Sequence, residues 1–162
     1  MTLSIRNEGT VIQIQAAPSV LFALVMIAAL LSPASGCTFK ATRQGIPPEV
    51  EAAIGTVSED ITQQRYEKIY NEASDLWREA ATLEQSTATL KTLETKLGKV
   101  ENRTVYSATE QNNSGGPLRG RAFVVTYQTK FERGDGMETF TLVERDNKWL
   151  LARYFVNSMA LQ

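Results

Sequence analysis

Apolar positions in this chain come first as one unbroken block, then at helical spacing, then in alternation. The block is Val20–Leu31, twelve residues without a polar side chain. A polar stretch from Thr38 to Pro47 follows, and Pro47-Pro48 marks a helix start. Proline suits the first helical turn because its φ is already fixed and its missing N–H is not needed there. A first helix is expected from about Pro48 to Gln63, with Val50, Ile54, Val57 and Ile61 near one face. Gly55 weakens it by about 1 kcal/mol of propensity. A second helix is expected from about Gln64 to Ala81, with Tyr66, Ile69, Tyr70, Ala73, Trp77 and Ala80 as its stripe. Its charges, such as Asp75 and Arg78, read as a solvated face with weak local pairs. A third helix is expected from about Leu83 to Leu97, closed by Gly98 as a C-cap glycine.

The period then changes to two. Val100 to Glu110 reads as a first strand, and Gln111 to Pro117 as a polar, Gly-containing loop. Arg121 to Phe131 places Phe123, Val125, Tyr127 and Phe131 on one face and Val124, Thr126, Gln128 and Lys130 on the other. Arg133-Gly134-Asp135-Gly136 reads as a turn. Met137 to Glu144 is the next strand, with Phe140 and Leu142 facing in. Asp146-Asn147 turns the chain into a last strand, Lys148 to Ser158. Short loops between strands two and four predict an antiparallel meander. Helices first and strands afterwards predict an α+β domain, with helices packed on one face of a curved four-stranded sheet.

Composition narrows the chemistry. Histidine is absent and formal charge is −1. That excludes Ser-His-Asp and Cys-His catalysis and any His-based metal site. Lysines and arginines are scattered without a basic stripe, so no nucleic-acid partner is expected. No phosphate loop occurs, since Asn113-Ser114-Gly115-Gly116-Pro117 lacks the Lys-Ser/Thr that grips a nucleotide. No cofactor and no metal are expected. Glu132, Asp135 and Glu138 lack EF-hand spacing and read as a solvated turn. Arg133-Gly134-Asp135 spells an integrin-ligand tripeptide, but Gly and Asp are also what a hairpin turn demands. Two glycosylation acceptor patterns, at Asn102 and Asn112, read as incidental.

The apolar block is too short to span a bilayer, which needs about 20 residues. It is followed by Ser32-Pro33-Ala34-Ser35-Gly36-Cys37, and Cys37 is the single cysteine. That order resembles a bacterial lipoprotein signal peptide, in which small residues lead to the cysteine that receives lipid. The resemblance implies a signal over residues 1–36, a lipidated Cys37 with a tether to residue 47, and a domain over 48–162. Ala34 stands where such signals usually carry a large aliphatic residue. Cleavage by an ordinary signal peptidase near Ala34 or Gly36 is the alternative. Two acyl chains would anchor stably, each buried CH₂ contributing about 0.8 kcal/mol. Thr38 rather than Asp after the cysteine implies the periplasmic face of an outer membrane, where the host has one.

The order of three helices and four antiparallel strands resembles the cystatin-like, cone-shaped fold of the nuclear transport factor two-like superfamily. A closer likeness is to a bacterial family of secreted proteins known only as a domain of unknown function. It is carried by Tyr66, Tyr70, Ala73, Ser74 and Trp77, by Leu97-Gly98, and by Gly120. Val125, Tyr127, Thr129 and Phe131 continue it, followed by Glu138, Trp149 and Tyr154. Arg153 stands where such domains often have Gly. The family implies no catalytic residues.

Two functions are open at this point. One is a non-catalytic binding or interaction domain held at the membrane through Cys37. Its partner would be a second copy, an envelope protein, or a small apolar ligand, and Phe123 or Phe155 is a candidate dimer contact. Tyr106, Tyr127, Glu138, Arg153 and Tyr154 are its candidate pocket or interaction residues. The other is a small pocket enzyme with a carboxylate base. Fold analogy supplies Asp60, Asp75 or Glu138 as the base, beside Tyr106, Tyr127 or Tyr154. It requires an acid inside the fold.

Overall fold

A computed structural model describes residues 45–162. The apolar block, Cys37 and the tether before Gly45 lie outside the described residues. Four helices come first: α1 (Pro48–Thr62), α2 (Tyr66–Glu72), α3 (Asp75–Ala80) and α4 (Leu83–Leu97). Four strands follow: β1 (Val100–Asn113), β2 (Gly120–Phe131), β3 (Gly134–Arg145) and β4 (Lys148–Ser158). A short 3-10 turn, Met159–Leu161, closes the chain. The strands pair antiparallel in the order β1-β2-β3-β4, an open meander. The class is α+β, as the pattern predicts. No helix among the described residues is long and apolar enough to cross a membrane.

The inward alternation of β2 holds: Phe123, Val125, Tyr127 and Phe131 are all buried. Phe123, at 0% exposure, is therefore core and offers nothing to a dimer. Phe155 is the opposite case, 63% exposed. The main core joins Val50 and Ile54 of α1, Tyr66 and Ile69 of α2, and Leu90 of α4 to Phe140, Leu142, Trp149 and Leu151 of the sheet. Fully burying a side chain such as Phe140 stabilises by about 1.5–3 kcal/mol. A smaller cluster of Leu97, Phe131 and Val156 extends the core, packed by Leu161. On the opposite sheet face, Ala122, Val143 and Ala152 are covered by Leu76 and Leu118. Among the described residues these clusters draw on positions 46 to 161, which gives the domain a core of its own.

The expected second helix is two helices. Ala73 and Ser74 are extended, with ψ of 165° and 164°. The Ser74 N–H donates to the Leu151 carbonyl on edge strand β4, at 2.9 Å. A tertiary hydrogen bond to a strand edge outweighs local helix propensity here, and no stripe of apolar residues reveals it. The break lets α3 sit across that edge. Leu76 packs with the outer cluster, and its neighbour Trp77 with the main core.

Two hairpins also differ in detail. β1 continues three positions beyond the expected end, because Gln111, Asn112 and Asn113 still pair with Ala122, Arg121 and Gly120. The β2–β3 turn is Glu132-Arg133, and β3 starts at Gly134 rather than Met137. Gly134 and Asp135 already pair with Phe131 and Lys130, so the Arg-Gly-Asp run is not a displayed loop tip. The β3–β4 turn is as expected: Asp146 and Asn147 have φ of 50° and 61°. Two positive φ values match the right-handed strand twist of a type I′ hairpin.

Candidate functional site

Glu138 faces inward on β3, in phase with Phe140 and Leu142, and is 0% exposed. A carboxylate in that position needs partners, since an isolated buried charge is strongly unfavourable. Four donors meet it. Arg103 of β1 gives Nε to Oε2 at 2.5 Å and Nη2 to Oε1 at 2.7 Å. The Thr129 hydroxyl of β2 donates to Oε2 at 2.9 Å. The Tyr154 hydroxyl of β4 donates to Oε1 at 2.6 Å. Every strand of the sheet thus contributes one side chain to one cluster. An ionised carboxylate offers about four lone-pair sites, and four donors occupy them.

Sheet register explains the assembly. Arg103 lies opposite Thr129, and Glu138 lies between Tyr127 and Val156. Phe140 lies beside them, with the Arg103 guanidinium 5.6 Å from its ring centroid. Tyr127 meets the Phe140 ring edge-on at 6.0 Å. Burial, then the Glu138 charge and hydrogen bond, push the Tyr154 phenol well above its ordinary value. It therefore stays protonated and remains a donor. Burial likewise pushes the Tyr127 phenol up.

Of the residues proposed from sequence, Tyr127, Glu138 and Tyr154 come together. Tyr106 and Arg153 do not. Val105 pairs with Tyr127 and Ser107 with Thr126, which leaves Tyr106 unpaired in a bulge and 66% exposed. Arg153 pairs with Thr141 and is exposed. Its guanidinium does not enter the cluster. Arg103 and Thr129 were missed as site residues. Arg103 sits in the polar run Glu101-Asn102-Arg103-Thr104, which reads as surface. A usable signal existed: Glu138 in the inward phase demands a cation, and Arg103 is the one cation in β1.

Asp60, one of the carboxylates that fold analogy offers as a base, is a second buried carboxylate, 1% exposed. Arg65 Nε donates to its Oδ1 at 2.7 Å and Lys68 Nζ to its Oδ2 at 2.8 Å. Burial alone would raise its pKa. The hydrogen bonds and charges of Lys68 and Arg65 outweigh that and hold the carboxyl below its usual range. Asp75 is exposed. A third polar contact joins the Tyr66 hydroxyl to Glu94, and burial followed by the Glu94 hydrogen bond pushes that phenol up to about 12.

Beside the Glu138 cluster lies a cavity of about 40 Å³, lined by Ser58, Leu90, Leu97, Arg103, Phe131 and Tyr154 among others. A water needs roughly 10–15 Å³ by such a measure, and organic ligands occupy pockets of about 300–1,000 Å³. The cavity is water-sized. Among the described residues, no three His, Cys, Asp or Glu side chains are placed to share a metal ion. Glu132 and Asp135 stay exposed while Glu138 is buried, so the acidic run is not one cluster.

No curated protein matches the chain. A family described as protein of unknown function (DUF4019) matches residues 55–154, from the middle of α1 to Tyr154. The match covers the second half of α1, α2 to α4, β1 to β3 and most of β4, including all four members of the Glu138 cluster, and the chain belongs to this DUF4019 family.

Proposed function

We propose that this protein is a lipid-anchored lipoprotein of the bacterial cell envelope whose domain binds a partner or ligand and catalyses nothing. On this reading Cys37 carries the lipid, residues 38–47 are the tether, and the domain is a cystatin-like cone of the nuclear transport factor two-like kind. One observation carries the non-catalytic part. A general base needs a free lone pair within reach of substrate. Glu138 has its lone pairs taken by Arg103, Thr129 and Tyr154. Asp60 is similarly held by Arg65 and Lys68. The anchor rests on Cys37 directly following an apolar block and a small-residue cluster.

The test is metabolic labelling of the full chain with a radioactive fatty acid in a Gram-negative host, followed by fractionation. The natural chain should take label and sediment with outer membranes. Cys37→Ala should take none and appear in the soluble fraction. Label retained by Cys37→Ala would sink the anchor.

A further inference from the structure

A second concavity lies away from the Glu138 cluster, between α1, α2 and the start of β4, with a volume of about 480 Å³. That lies within the range of organic-ligand pockets. Its α1 wall is the stripe Ala53, Thr56, Val57 and Asp60, which spans about 10 Å of helix at 1.5 Å per residue. Its floor reaches Ile69, Leu142 and Leu151, all buried core residues, and Trp149 lines the sheet side. The cleft thus opens directly onto the main core. It lies beside the point where α2 stops at Glu72 and the chain turns out to meet Leu151.

Charge selects the occupant. Three ionised side chains line the cleft: Asp60, Glu72 and Lys148. Asp60 is neutralised by Arg65 and Lys68, and Glu72 Oε2 lies 3.2 Å from Lys68 Nζ. Lys148 is exposed and makes no ion pair among the described residues. Among the described residues, the one unbalanced charge lining the cleft is therefore the exposed Lys148 ammonium. We infer that the cleft binds a free, single-chain organic acid, with its hydrocarbon tail along the α1 stripe and its carboxylate at Lys148. The inference rests on the reading of the domain as a binding module and supplies its ligand class.

Decanoate, kept below its micelle concentration, is the probe. It is titrated calorimetrically into the self-contained domain, residues 38–162, with decyltrimethylammonium as the cation of equal tail. Decanoate should bind with one-to-one stoichiometry and the ammonium should not. Lys148→Glu should weaken binding at least tenfold, and Lys148→Arg should retain it. Thr56→Trp, an exposed position on the cleft wall, should abolish it. Circular dichroism of each variant establishes that the fold persists. No decanoate binding overturns the inference, as does equal binding of the cation or indifference to the Lys148 and Thr56 variants. A domain that sediments as a dimer and ignores decanoate overturns it in favour of a second copy on the cleft. Any of these results leaves the Cys37 labelling test untouched, so the ligand class and the anchor fail separately.

Discussion

Glu138 is the residue on which four strands converge, and its charge is balanced mainly by Arg103, whose side chain is 22% exposed. Breaking a buried pair from one side is worse than never having made it, because the other charge is left without a partner. Glu138→Gln should therefore lower unfolding free energy by about 3 kcal/mol, read from urea melts. Glu138→Met together with Arg103→Met should recover much of that loss; a single variant within about 0.5 kcal/mol of wild type would contradict the account. Asp60 makes a pH-dependent case. Its folded pKa is depressed, so its contribution is present above the unfolded value of about 3.9 and is lost as pH falls through the folded pKa. Asp60→Asn should destabilise by about 1–2 kcal/mol at neutral pH, discounted because its partners are about two-fifths exposed. The gap to wild type should be constant at neutral pH and begin to narrow as pH falls below about 4; a gap that widens on acidification would contradict this. Residue by residue, the sequence revealed the inward aromatics, while Glu138 read both as a pocket candidate and as part of a solvated turn, and its burial excludes the second reading. The sequence concealed Arg103, because a strand cation in a polar run carries no mark of the face it will occupy. Tyr106 was misplaced for a related reason: one bulged residue shifts the phase that alternation assumes.

Elements were legible where local chemistry decides them. Prolines open α1, and the Asp146-Asn147 turn sets the last hairpin. Gly98 closes α4 with φ of 76° and ψ of −162°, a region open essentially to glycine alone. A Cβ at that position would also lie 2.8 Å from the Cβ of Glu132, whose carboxylate accepts the Lys99 N–H at 3.0 Å. Gly98→Ala should cost about 2 kcal/mol. Gly55→Ala, inside α1 with nothing within 4 Å of the new methyl, should instead stabilise by about 0.5–1 kcal/mol. Thermal melts of the pair would test the contrast, and equal effects would refute it. Where tertiary contacts decide, local reading fell short. The break at Ala73-Ser74 is made by Leu151, far along the chain, and α2 and α3 share one amphipathic stripe in sequence. The capping box of α4, Thr82 with Gln85, is local and was nonetheless overlooked. Thr82 accepts from the Gln85 N–H while the Gln85 side chain accepts from the Thr82 N–H.

At the scale of the molecule, helices before strands were enough to predict the class and the meander, because short turns force neighbours in sequence to be neighbours in space. The cleft beside α1 was invisible, since its walls come from α1, α2 and β4, which only the tertiary fold brings together. Strand order equal to chain order has a further consequence, in time rather than in space. Synthesis runs from the N-terminus, so α1 to α4 exist before the surface they cover. Their apolar stripes find Phe140, Leu142 and Leu151 only once β3 and β4 are paired, and Ser74 finds its acceptor only on the last strand. Local hairpins close with less entropy loss than helix-to-sheet contacts across the whole chain. In refolding followed by pulsed hydrogen exchange, amides of β2 and β3 should gain protection before that of Ser74; the reverse order would contradict this. The segments made first would then be the last to settle, and during that interval the helices' apolar faces remain open to whatever chaperone or neighbour meets them.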